Sequence, residues 1–154
     1  RVAKLALLDT NPLAEVPEMK ARRGPQMDKA QAGHLDQVLR EEMKPNYLTQ
    51  GPQQAAILNL CMNMALKLGA DVFVRQSMAL RDRPDQSDTL RGLSVPTLVL
   101  CGRDDRLCPV ARHDLMHALV GGSTLEIIEG AGHLPTLEQP QQTTAALLRW
   151  MEDA

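Results

Sequence analysis

Two segments near the C-terminal end hold residue types that can move a proton. Cys101-Gly102-Arg103-Asp104-Asp105-Arg106-Leu107-Cys108-Pro109 places carboxylates after a glycine, and Glu129-Gly130-Ala131-Gly132-His133 places an imidazole after two. Each directly follows or continues a short apolar run, Pro96 to Cys101 and Thr124 to Ile128, that reads as a buried strand. The carboxyl ends of neighbouring parallel strands are where open α/β sheets hold their working residues. A carboxylate that orients an imidazole, and an imidazole that takes a proton from a nucleophile, are two members of a hydrolytic triad. The nucleophile itself is not visible in these segments.

Gly102 permits a sharp break after the strand, and the spacing Gly-x-x-Asp-x-x-x-Pro singles out Asp105 over Asp104 as the acid. The loop alone leaves a plainer alternative open, in which either aspartate turns the chain or caps the helix that Pro109 introduces. Flanking glycines let His133 project without obstruction, and its pairing with an acid on the adjacent loop outweighs an idle surface histidine. His34, His113 and His117 are expected on helix surfaces. His113 and His117 have the i, i+4 spacing of metal ligands, but no partner completes a zincin pattern, so neither metal nor cofactor is expected.

Positioning these residues requires strands and covering helices. Val2 to Leu8 is nearly continuous in apolar character, which suits a parallel strand covered on both faces. From Asn11-Pro12 to Gly92 the period becomes helical. Leu35, Val38, Leu39 and Met43 form one apolar stripe. A helix from about Pro52 to Gly69 carries two stripes, Ile57, Cys61, Met64, Leu68 and Leu58, Met62, Leu66, so it is expected to be sandwiched between layers or to have one face on a cavity. Helices follow at about Asp71 to Arg81, Ser87 to Leu90 and Pro109 to Val120. A last one from Pro140 is expected to bury Thr144, Leu147, Leu148 and Met151. Lys20, Arg22 and Arg23 beside Gly24-Pro25 read as a solvated loop. The fold class is therefore α/β, with three parallel strands and flanking helices in 1–12 and 92–154, and a helical insertion over 13–91.

At 154 residues the chain can bury one sizeable core. A net charge of −2 gives no electrostatic footprint for nucleic acid or an anionic membrane, and no apolar run is long enough to span a bilayer. Three cysteines, Cys61, Cys101 and Cys108, form no C-x-x-C pair, which points away from a disulfide framework and toward a reducing cytoplasm. The chain starts in what reads as a strand, without an initiator Met, as a piece of a longer protein would.

The segment from Leu93 to Ala154 resembles the C-terminal part of the α/β-hydrolase fold. The matching motifs are Pro96-Thr97-Leu98-Val99-Leu100-Cys101-Gly102-Arg103-Asp104-Asp105, then Gly130-Ala131-Gly132-His133, then Leu137-Glu138-Gln139-Pro140. Residues 1–9 resemble the strand that follows the family's nucleophile elbow, and the helical insertion resembles its cap. The resemblance implies that Asp105 is the triad acid and His133 the general base. It also exposes a departure, because the family's G-x-S-x-G elbow and oxyanion-hole loop have no counterpart here. Ser77, Ser87, Ser94 and Ser123 all lack the glycine setting.

The expectation is thus a C-terminal portion of an α/β-fold hydrolase cleaving a small ester, lactone or similar carbonyl substrate, inactive without a nucleophile outside these residues. Leu107, Cys108 and Leu134 are candidate pocket walls. Two alternatives stay open: a dehalogenase or epoxide-hydrolase relative with an aspartate nucleophile, and a non-catalytic binding module. The strand at 2–8 would present an unpaired apolar edge, so a homo-oligomer is expected, formed through that edge or through rearranged cap helices.

Overall fold

The computed structural model describes residues 2–152; Arg1, Asp153 and Ala154, which the expected segments include, lie outside the described residues. Three parallel strands form one sheet in the order β1 (Leu5–Leu8), β2 (Thr97–Gly102), β3 (Thr124–Ile128). Leu5 stands opposite Thr97 and Leu8 opposite Leu100 on one side of β2, with Leu98 opposite Thr124 and Gly102 opposite Ile128 on the other.

β2 is central and buried along its whole length, which is why its sequence reads as a continuous apolar run. Successive side chains leave opposite faces. Leu98 and Leu100 join Ile128, Ala131 and Ala146, with Ala6, Leu8, Leu147 and Trp150 at the margin. Val99 points the other way, into Leu90, Met116 and Val120. Each fully buried leucine in such a layer contributes about 1.5–3 kcal/mol.

β1 is shorter than the expected run from Val2 to Leu8. Val2 is 65% exposed, and ordered pairing starts where the Leu5 N–H donates to the Pro96 carbonyl. As an edge strand it is only half buried.

The helices flanking the sheet are α5 (Ser87–Arg91), α6 (Val110–Leu119), α7 (Pro135–Glu138) and α8 (Pro140–Glu152). α8 buries a face one position away from the one expected. Thr143 and Ala146 are buried, while Thr144, Leu148 and Met151 are exposed. The reason is polar: the Thr143 hydroxyl lies 3.0 Å from the carbonyl oxygens of both Pro135 and Gln139, and Ala146 admits the close approach. His113 also departs from expectation. It lies fully buried on α6, where the Thr10 N–H donates to Nε2 at 3.2 Å, leaving Nδ1 toward the Pro109 carbonyl. Burial pushes its pKa down, against the Pro109 carbonyl.

A second compact unit, Leu13–Pro45 with Ala55–Asp85, is built by α1 (Pro17–Lys29), π-helical turns around α2 (Leu35–Gln37), α3 (Gln54–Leu68) and α4 (Ala70–Arg81). Its core is Ala30, Leu35, Val38, Leu39, Met62 and Phe73, with Met43 packed against it. Lys20, Arg22 and Arg23 lie in α1 and not in a loop. Pro17 opens that helix at a position where a missing N–H costs nothing, and the buried Arg23 pairs with Glu15, which Arg83 also reaches at 3.2 Å. On α3 one residue of each stripe is buried, Ile57 and Met62, but Met64 and Leu68 of the first stripe and Leu66 of the second are 57%, 56% and 43% exposed, so neither stripe is covered along its whole length within this unit.

The expected single insertion over 13–91 is interrupted. Asn46–Gln54 and the chain from Gln86 onward belong with the sheet. Among the described residues no single helix is long and apolar enough to cross a membrane.

Candidate active site

Both loops singled out by the sequence meet at the carboxyl ends of β2 and β3. Gly102 ends β2, and a Cβ there would collide with the carbonyl oxygens of Gly132 and Ala131. Gly132 is confined too, less severely, since a Cβ would stand 2.9 Å from the Tyr47 carbonyl oxygen. The two glycines therefore let three backbone segments close to a spacing no other residue allows. Backbone bonds then stitch them together. The N–H groups of Arg103 and Asp104 donate to Ile128 and Ala131, each at 2.9 Å, and the His133 N–H donates to Tyr47 at 2.7 Å.

Within this frame His133 Nδ1 lies 2.9 Å from Asp105 Oδ2. The Asp105 side chain has no exposed surface, and that of His133 is 22% exposed. The other carboxylate oxygen accepts the N–H groups of Leu107 and Cys108 at 2.8 and 2.9 Å. Burial works against the carboxylate, but the His133 hydrogen bond, the two N–H donors and the imidazole charge together hold its pKa below the usual value. An ionised Asp105 accepts, so Nδ1 carries the ring proton and Nε2 keeps a lone pair. That arrangement can receive a proton from an adjacent hydroxyl or thiol and hold the resulting charge.

Asp105 thus also turns its own loop, as the plainer alternative held, but it does not cap α6, which has no side-chain cap. Asp104 is exposed. Leu107 is 39% exposed, and Cys108 and Leu134 are half-buried. Beside the pair opens a cavity of ≈ 400 Å³ lined by Leu48, Thr49, Gln50 and residues 103–106; Leu107, Cys108 and Leu134 are not among its walls.

Three residues important to the site were not singled out as functional. Glu138 on α7 accepts the Gly132 N–H at 2.9 Å, the Leu134 N–H at 3.2 Å, and the Thr49 N–H and hydroxyl at 2.8 and 3.0 Å. It anchors the histidine loop and the segment 46–54 through one carboxylate. The Tyr47 ring meets the His133 ring edge-on, centroids 5.8 Å apart. Asp9 follows β1 at a left-handed φ of 44° and accepts the Gly102 N–H at 3.0 Å. Burial raises its pKa to about 7, the Gly102 hydrogen bond opposing and the Asp105 charge adding to the rise. Of these, Glu138 stands in a motif already matched, and Asp9 ends an apolar strand where a carboxylate has no structural need to be.

Comparison with known proteins gives the same architecture. Residues 2–147 match the profile described as the alpha/beta hydrolase family. A structure of a thermophilic esterase from Thermogutta terrifontis superposes with a TM-score of 0.91 at 29% identity, covering 99% of this chain and 56% of that one. The enol-lactonase from Burkholderia xenovorans LB400 shares the fold at a TM-score of 0.86 and 18% identity, over 99% of this chain and 57% of its own. A pimeloyl-[acyl-carrier protein] methyl ester esterase from Xanthomonas axonopodis is 33% identical over 78 residues, which is 51% of this chain and 31% of that protein. The chain therefore spans a little over half of the similar structures, and the aligned stretch less than a third of the curated relative. With the strand order, the two strand-end loops and a profile match over nearly the whole length in agreement, the chain belongs to the alpha/beta hydrolase family.

Proposed function

We propose that Asp105 and His133 are the acid and base of a hydrolase acting on a small carboxylic ester or lactone, with the helical unit as its cap and the nucleophile supplied by residues outside 1–154. The observation that carries the reading is the 2.9 Å contact between His133 Nδ1 and a wholly buried Asp105 carboxylate, which commits one ring nitrogen and leaves the other for proton transfer. The esterase and lactonase named above favour a carbonyl substrate. Ser123 is an unsuitable nucleophile because its hydroxyl is engaged by His117 at 2.8 Å and the Val120 carbonyl at 2.9 Å.

The nucleophile's proton passes to His133 Nε2, Asp105 stabilises the imidazolium through Nδ1–H, and the proton then goes to the leaving alkoxide. Water repeats the sequence to release the acid.

The test is turnover of a short-chain aryl ester by the complete gene product, its His133→Ala variant, and residues 1–154 alone. The complete product should turn over, with the variant slowed by roughly 10³–10⁶-fold and residues 1–154 no faster than their own His133→Ala form. Undiminished activity in the variant, or a serine in 1–154 labelled stoichiometrically by a fluorophosphonate, would overturn the reading. We also propose that residues 1–154 alone self-associate through the β1 edge as a two-fold dimer, which a monomer mass by light scattering at high concentration would refute.

A further inference from the structure

We propose that Glu138 is a positioning residue for His133, its carboxylate locking the imidazole's backbone and the cavity wall at 48–50 into one frame. As the last residue of α7 it lays each carboxylate oxygen on a different segment. Oε2 accepts the N–H groups of Gly132 and Leu134, the neighbours of His133 on either side, at 2.9 and 3.2 Å. Oε1 accepts the N–H and the hydroxyl of Thr49 at 2.8 and 3.0 Å. The amide between, that of His133, donates to the Tyr47 carbonyl at 2.7 Å, two residues before Thr49. Three successive amides of the histidine loop therefore end on one carboxylate and on a carbonyl of the segment that this carboxylate holds. The circuit is tight, since a Cβ on Gly132 would stand 3.2 Å from the Leu48 backbone.

Ion pairing does not explain an acid at this place. Among the described residues no lysine or arginine pairs with Glu138, and its partners are all neutral donors. What the carboxylate supplies is acceptor capacity for four donors at once, which no neutral side chain of its length has. Glutamine would aim its NH₂ at one pair of those donors. Aspartate would keep both oxygens but lacks the length to span the two segments. The chemistry is sensitive to that span. His133 Nδ1 meets Asp105 Oδ2 at 2.9 Å, and misplacing a reacting group by about an ångström can cost on the order of 10²-fold in rate. Leu48, Thr49 and Gln50 line the cavity, so the same carboxylate fixes the distance from the wall to the base.

The effect on turnover rests on the proposed role of His133, so the test is a double-mutant cycle in the complete gene product. Glu138→Gln and Glu138→Asp are each made in the wild-type and in the His133→Ala background, and turnover of the short-chain aryl ester is measured. In the wild-type background both should lower kcat by roughly 10–100-fold. In the His133→Ala background neither should change the residual rate by more than about twofold, because a residue that acts through the imidazole has nothing left to place. Glu138→Asp keeps the charge and carries the cycle by itself should Glu138→Gln not fold. Equal losses in the two backgrounds, or a lowered melting temperature with kcat unchanged, overturn the inference and leave the assignment of His133 standing. Full activity in His133→Ala overturns that assignment, and the inference with it.

Discussion

The loops at the sheet's carboxyl edge and the α3–α4 face of the helical unit are held by different forces. At the loops, backbone meets backbone: Gly102 and Gly132 sit against carbonyl oxygens, and Glu138 accepts four donors. In the helical unit apolar side chains cluster around Val38 and Leu39, yet Met64, Leu66, Leu68, Met78 and Leu80 remain exposed. Backbone contact tolerates almost no displacement, because no rotamer change relieves it. Side-chain packing tolerates exchange of one apolar residue for another. Precision is concentrated where a proton has to be placed within hydrogen-bond distance, and it is relaxed elsewhere.

The strongest way to break this contrast is a methyl group. Gly102→Ala should cost at least ~3 kcal/mol, because the added carbon meets two carbonyl oxygens that are themselves hydrogen-bonded. Chemical denaturation would read it as a lower midpoint at an unchanged slope. A loss below 1 kcal/mol would show that the loops yield more than their geometry implies.

Asp9→Asn is expected to act in the opposite direction and with pH. The folded pKa of Asp9 is raised to about 7 from 3.8, so between those values the native state keeps a proton that the unfolded chain releases. Stability attributable to this group therefore falls as pH rises through that window. Asparagine keeps the acceptor for the Gly102 N–H and suits the left-handed φ. The variant should be near neutral at pH 4 and more stable than wild type at pH 8 by on the order of 1–2 kcal/mol, the full shift being discounted for solvent access. Thermal melts at the two pH values check the sign.

Met64→Ser should do least. Its side chain is 57% exposed, and the change is expected to stay within ±0.5 kcal/mol. A larger loss would place Met64 in a buried contact and weaken the contrast between the regions.

The same division explains what could be read from the sequence. Gly102, Asp105, Gly132 and His133 were legible because backbone crowding and proton transfer each restrict the residue type, leaving a pattern at fixed spacing. β2 and β3 were legible as continuous apolar runs bounded by turn residues. The buried face of α8 was not, because a threonine hydroxyl is buried there by two carbonyl partners that only the fold brings near. His113 was misplaced for a related reason, its imidazole being satisfied by the distant Thr10 N–H. α1 was hidden by Gly24-Pro25, whose helix-breaking tendency yields to the burial of Met27 and the Glu15–Arg23 pair. Tyr47 and Asp9 reach the site from segments far away in sequence; nothing local marks Tyr47, and Asp9 is marked only as a carboxylate at the end of an apolar strand.

The account turns on which nitrogen of His133 carries the proton and why. Two-bond ¹⁵N–¹H correlation spectra of the His133 ring, in the wild-type chain and in Asp105→Asn, measure this directly. Above the imidazole's titration the wild type should show the Nδ1–H form alone, with Nε2 unprotonated, and Asp105→Asn should shift the population toward Nε2–H. An Nε2–H form in the wild type, or a tautomer indifferent to Asp105, would contradict the assignment of Asp105 as the group that prepares His133 to act as a base.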